Sequence, residues 1–178
     1  MPVLRSERRR FLRSVAAVGL VGWNSVCATR ADAKSLREGE PAPPAALVTL
    51  DGQRISTAEL LGQVVILKFW ATWCEPCRKE LPLLSDYAQR HAEEGFRVLA
   101  FSLDAPDDIA KVRKAAQGFH FPVGLLAASS APGYGRIWRL PVSFTIDRHG
   151  RLAINGWKQN PGSWTTESLE RIVTPMLR

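Results

Sequence analysis

The chain has 178 residues, 46% of them hydrophobic, and a formal charge of +7. That length and apolar content suit one globular domain with its own core. The charge is concentrated at one end: residues 1–33 hold six Arg against Glu7 and Asp32, a net of +4, which leaves +3 for residues 34–178. A body that mildly basic makes no electrostatic case for nucleic acid.

Residues 1–33 have the three-part layout of an export signal. Arg8-Arg9-Arg10-Phe11-Leu12-Arg13 is basic, Ser14 to Val26 is apolar apart from Gly19, Gly22, Asn24 and Ser25, and Ala31-Asp32-Ala33 has the small-x-small pattern of a cleavage site. Val26-Cys27-Ala28 is a second, weaker cut. The Arg-Arg-x-Phe-Leu-Arg run resembles a twin-arginine signal, with Glu7 where that motif usually has Ser or Thr. The apolar stretch, about 13 residues, falls short of the ~20 that span a bilayer. Cleavage and a periplasmic product are therefore expected, with no stable membrane span. The alternative is a retained anchor in the inner membrane facing the periplasm.

Residues 34–45, with Gly39, Pro41, Pro43 and Pro44, read as a linker, and 46–178 as the folded domain. Ala46–Leu50 and Arg54–Ser56 read as short strands around an Asp51-Gly52 turn. Thr57 is placed to cap a short helix through Leu61. Val64–Trp70, apolar except for Lys68, reads as a strand buried on both faces. A helix should run from Cys74 to about Glu94, kinked at Pro82. A strand at Arg97–Leu103, a helix from Asp107 or Asp108 to about Gln117, and a short strand at Pro122–Leu126 follow. A turn of helix is expected near Gly133–Ile137. Val142–Asp147 and Leu152–Trp157 flank a hairpin turn, and Thr165–Leu177 is an amphipathic helix bent or ended near Pro175. Strands alternating with helices, then a hairpin and a helix, make an α/β sandwich around a mixed sheet.

Of the three cysteines, cleavage after Cys27 leaves only Cys74-Glu75-Pro76-Cys77. Two cysteines one helical turn apart, following a buried strand, read as chemistry rather than as a staple. A helix N-terminus offers free N–H groups and partial positive charge, which stabilise a thiolate. The thiolate is the nucleophile in disulfide exchange. Cys74 is therefore the expected nucleophile and Cys77 the resolving thiol, with Pro76 presetting helical φ in the first turn. Half a zinc site is the rival reading, but a second C-x-x-C is missing, and His91, His120 and His149 are scattered. A peroxidatic cysteine is another rival.

The segment Phe69-Trp70-Ala71-Thr72-Trp73-Cys74-Glu75-Pro76-Cys77-Arg78-Lys79-Glu80-Leu81-Pro82 resembles the active-site segment of the TlpA/ResA group of extracytoplasmic thioredoxin-like proteins. The resemblance extends over about residues 40–178. It includes Asp51-Gly52, Phe121-Pro122-Val123 and the run from Leu140-Pro141-Val142 to Gly150. It implies a thioredoxin-like fold with an N-terminal β-hairpin and a central βα insertion. It also implies a cis peptide at Leu140–Pro141 facing the dithiol, where the Leu140 backbone pairs with an extended substrate. Trp73, Glu75 and Pro76 would complete the substrate-facing surface.

Two charged residues bear on proton movement. Glu80 lies one turn beyond Cys77, and the resemblance places it in the active-site cavity, where burial would suit it to shuttle protons. Lys68 departs from the family pattern, standing where relatives carry Asn or Asp. Three readings of it stay open: pairing with Glu80, tuning the Cys77 thiolate, or snorkelling to solvent. Glu75, a negative charge beside the nucleophile, favours a more reducing protein.

The resulting expectation is an extracytoplasmic thiol–disulfide oxidoreductase that reduces protein disulfides without metal or organic cofactor. The resemblance implies a membrane thiol transporter of the DsbD/CcdA type as electron source. It also implies exported proteins with paired cysteines, such as apocytochrome c, as substrates. A dithiol oxidase or isomerase, a thiol peroxidase and a copper-binding metallochaperone are the alternatives on the same fold.

Overall fold

A computed structural model describes residues 36–158 and 163–178. The export signal expected at 1–33 lies outside the described residues.

Among the described residues, seven strands and three principal helices follow the expected order. Strands β1 (Ala46–Val48) and β2 (Arg54–Ser56) form a separate antiparallel hairpin. The main sheet has the order β5-β4-β3-β6-β7 and comprises β3 (Val64–Trp70), β4 (Phe96–Ser102), β5 (Val123–Leu125), β6 (Val142–Ile146) and β7 (Leu152–Ile154). β3 pairs parallel with β4 and antiparallel with β6, so the sheet is mixed and β3 is its central strand. Helix α1 (Glu75–Arg90) connects β3 to β4, and α2 (Ile109–Ala115) connects β4 to β5.

All seven residues of β3 are buried, as its continuous apolar run requires. Alternation along the strand divides them between two cores. Val64, Ile66 and Trp70 pack with Cys77, Leu81 and Leu84 of α1, while Val65, Leu67 and Phe69 pack with Phe144 and Tyr134 on the other side. Lys68 has the parity of the first set and therefore points at α1. Its register partners on that face are Ala100 and Ser143, both small, which leaves room for a long side chain.

Several boundaries differ from the sequence reading for identifiable reasons. The 3-10 turn Thr57–Leu60 is capped by Ser56 rather than by Thr57; Glu59 closes it by accepting from the Ser56 N–H at 2.7 Å. α1 stops at Arg90 rather than Glu94, because Gly95 (φ 78°) turns the chain into β4. The same helix continues through Pro82, which sits exposed on its outer face. The C-terminal helix α3 is regular only over Thr166–Ser168. It widens into a π turn at Leu169–Val173 and tightens to 3-10 at Thr174–Leu177, where Pro175 lacks an N–H.

Residues 36–45, read as linker, lack regular structure but are fastened to the domain. Gly39 N donates to Leu152 O at 2.8 Å, Leu152 N to Glu40 O at 2.9 Å and Ala42 N to Gly150 O at 2.9 Å. At the opposite side of the sheet, Leu50 N donates to Val123 O at 2.9 Å.

Candidate active site

The site is built where β3 ends. A buried strand must leave the sheet and turn into α1 within Ala71–Trp73, and Asp104 holds that turn. The Asp104 carboxylate accepts from Thr72 N at 2.9 Å, from Thr72 Oγ1 at 2.5 Å and from Ser102 Oγ at 2.6 Å. Leu103 N donates to Trp70 O at 2.8 Å, and Cys74 N to Ala71 O at 3.1 Å. Asp104 was not singled out from sequence, since one carboxylate after an apolar strand is a weak signal.

Cys74 is the N-cap of α1 in extended conformation, and Pro76 sits in the first turn. Cys74 and Cys77 are joined as a disulfide, with 5.3 Å between their Cα atoms. The Cys77 N–H donates to Cys74 Sγ at 3.3 Å, so a backbone dipole is already aimed at the sulfur that would carry negative charge. Cys74 is 6% exposed and Cys77 fully buried. An incoming sulfur therefore meets Cys74 first. Glu75 turns outward along the helix and pairs with Lys79 at 2.8 Å, both exposed. The Lys79 ammonium, hydrogen-bonded to it, holds the Glu75 carboxyl below the usual carboxylate range.

Behind the dithiol lies a buried ion pair. Lys68 Nζ bonds to Glu80 Oε1 and lies 3.4 Å from Ser143 Oγ. Glu80 Oε2 accepts from Trp164 N at 2.6 Å. Lys68 is fully buried and Glu80 4% exposed. Of the three readings of Lys68, pairing with Glu80 is the one seen; snorkelling is overturned, because β3 is central and covered on both faces. Burial pulls the Lys68 ammonium below the ordinary lysine value, and the Glu80 charge acts against that shift. Glu80 is in turn not an isolated buried carboxylate, as the proton-shuttle reading supposed. It is tied to Lys68 on β3 and to the start of the C-terminal segment at Trp164, a backbone donor that no sequence pattern marks.

A groove opens in front of Cys74, walled by Trp73 and Pro76 on one side and Ile137, Trp138 and Leu140 on the other. The Leu140–Pro141 peptide is cis. Trp73 is 68% and Trp138 72% exposed. Trp138 both packs and lines the groove. One face of its ring stacks on Trp157 with centroids 5.7 Å apart and planes 7° apart. Arg139 lies over both rings and donates to Gly156 O at 2.8 Å and Trp157 O at 2.9 Å. Trp157 Nε1 donates to Tyr134 O at 2.9 Å.

A dithiol at the N-terminus of the helix that follows the central strand of this mixed sheet defines a thioredoxin-fold thiol–disulfide oxidoreductase. Comparison with known proteins agrees. The chain belongs to the AhpC/TSA family, whose model matches residues 39–154. It is 32% identical over 152 residues to a thiol-disulfide oxidoreductase ResA of Bacillus thuringiensis (strain Al Hakam), covering 85% of this chain and 86% of that one. It is 29% identical over 155 residues to the ResA of Bacillus subtilis (strain 168), with 84% and 85% covered. Among solved structures it is similar to a thiol:disulfide interchange protein of the thioredoxin family from Chlorobium tepidum TLS. That match has a TM-score of 0.64 and 30% identity, covering 80% of this chain and 98% of the other. The resemblance to the ResA group read from the active-site segment therefore holds for the folded domain.

Proposed function

We propose that the protein is an extracytoplasmic reductase of protein disulfides. In the reaction cycle the Cys74 thiolate attacks one sulfur of a substrate disulfide, forming a mixed disulfide and releasing the other substrate sulfur as thiolate, which takes up a proton. Cys77, deprotonated, then attacks Cys74. The substrate leaves with two thiols, and the protein keeps the Cys74–Cys77 disulfide and has lost two electrons. The Leu140 backbone beside Pro141 would pair with the extended substrate, with Trp73, Glu75 and Pro76 as further contacts.

The observation that carries the direction is the cancellation of charge around the dithiol. Lys68 is neutralised by Glu80 and Lys79 by Glu75. A strongly oxidising dithiol depends on uncompensated positive charge that stabilises its thiolate, and here two of the three nearby cations are paired, with Arg78 exposed on the first turn as the third. The disulfide is correspondingly stable and the dithiol a donor of electrons. The Lys68–Glu80 pair is assigned the second role, tuning Cys77 and handling its proton. The leader supports export to the periplasm by the twin-arginine route. Reduction in that oxidising compartment requires a supply of electrons, for which a membrane thiol transporter of the DsbD/CcdA type is suited. Apocytochrome c or another exported protein with paired cysteines would be the substrate.

Equilibration of the domain with dithiothreitol or glutathione buffers tests the direction. The expected potential lies well below about −180 mV, the value typical of a disulfide isomerase. A potential near that of the strong oxidants, about −120 mV, would reverse the assignment.

A further inference from the structure

The groove in front of Cys74 has charged residues at its rim, yet their charge is already engaged. Glu75 is paired with Lys79, and Arg139 is spent on two backbone carbonyls and two indole rings. What remains toward an incoming chain is apolar: Trp73, Trp138, Ile137 and Leu140. Two of these are tryptophans more than two-thirds exposed, and large rings are rarely left so open without a partner. Trp138 is moreover immobilised before anything binds. Trp157 backs one face, and Trp157 is itself held by its ring N–H on Tyr134 O. A rigid indole gives up little conformational freedom when a second ring settles on its open face.

Resting on the reductase reading above, we infer that Trp138 is a specificity-determining residue, a fixed aromatic shelf that selects cysteines flanked by a bulky apolar side chain in an extended client chain. The occupant is thus an unfolded segment of a client protein. In folded proteins large apolar side chains beside a cysteine are mostly buried, so a shelf of this kind is met by clients before folding or after unfolding. The step is the exchange already described: the client disulfide is reduced to two thiols and Cys74–Cys77 is oxidised. Trp138 touches the neighbouring side chain and takes no part in the sulfur chemistry.

The test uses the reduced domain and two synthetic peptides. Each peptide carries one Cys-x-x-Cys disulfide, preceded by Phe in one and by Ser in the other, and the pair is matched in reduction potential. Second-order rate constants are read by acid quench and chromatography. The wild-type protein is expected to favour the Phe peptide about tenfold, the size of one well-formed aromatic contact. Trp138→Ser should bring that ratio to about one, and Trp138→Phe, which restores a ring, should keep most of it. Because each ratio is taken within one variant, a general loss of activity does not mimic the effect. Equal rates for both peptides with the wild type, or an unchanged ratio in Trp138→Ser, overturns the shelf and leaves the reductase reading standing. Exchange with neither peptide overturns that reading, and the shelf with it.

Discussion

Replacing Lys68 with Met removes one member of a buried ion pair. Met matches the length of the lysine stem, so the lost element is the ammonium. Glu80 then remains 4% exposed with one donor left, the Trp164 N–H. Stripping one partner from a buried pair costs about 3–5 kcal/mol, because the surviving charge is uncompensated. For a domain of this size that lowers Tm by roughly 10–15 °C. Urea unfolding of the oxidised domain at pH 8 measures the deficit. Lys68→Met combined with Glu80→Leu removes both charges and should recover at least half of the deficit at pH 8. A deficit under about 1 kcal/mol at pH 8 would refute the account of a compensated buried pair.

Three further outcomes follow from the site. Glu80→Gln takes away the carboxylate that opposes the downward pull of burial on the Lys68 ammonium, so the pH–rate profile of disulfide exchange should change; an unchanged profile would remove the pair from proton handling. Cys77→Ser should accumulate mixed disulfides through Cys74, visible by mass spectrometry without reductant, whereas Cys74→Ser should form none. Asp104→Ala deletes three hydrogen bonds at the turn into α1 and should cost about 2 kcal/mol in urea unfolding.

The main lines of the fold were legible because its strongest patterns are local. Val64–Trp70 could only be a covered strand, and Cys74–Pro76 opening a helix follows from capping chemistry and the φ of proline. Boundaries were harder where a distant contact decides them. The short helix after β2 is capped by Ser56 because Glu59 reaches back to it, and α1 ends early because Gly95 turns the chain. The dithiol was likewise readable, but its surroundings were not. Lys68 could be placed on a strand from sequence, whereas its partner depends on which face of β3 meets α1 and on small residues at 100 and 143 in neighbouring strands. Trp164, Asp104 and Trp157 act through backbone donors, a turn and a stack, and none of these leaves a spacing in the sequence.

The stitching of residues 39–42 to Gly150 and Leu152 matters beyond anchoring the start of the domain. Strand β7 would otherwise end the sheet with open N–H and C=O groups, a template for any extended chain nearby. Leu50 on Val123 gives β5, the other outer strand, a partner as well. If its clients are extended chains, as proposed above, each would be a segment ready to add as an extra strand. With both margins of the sheet engaged, such a chain would be denied β-type coaggregation and left the mouth of the groove, where contact would end in a reversible sulfur bond.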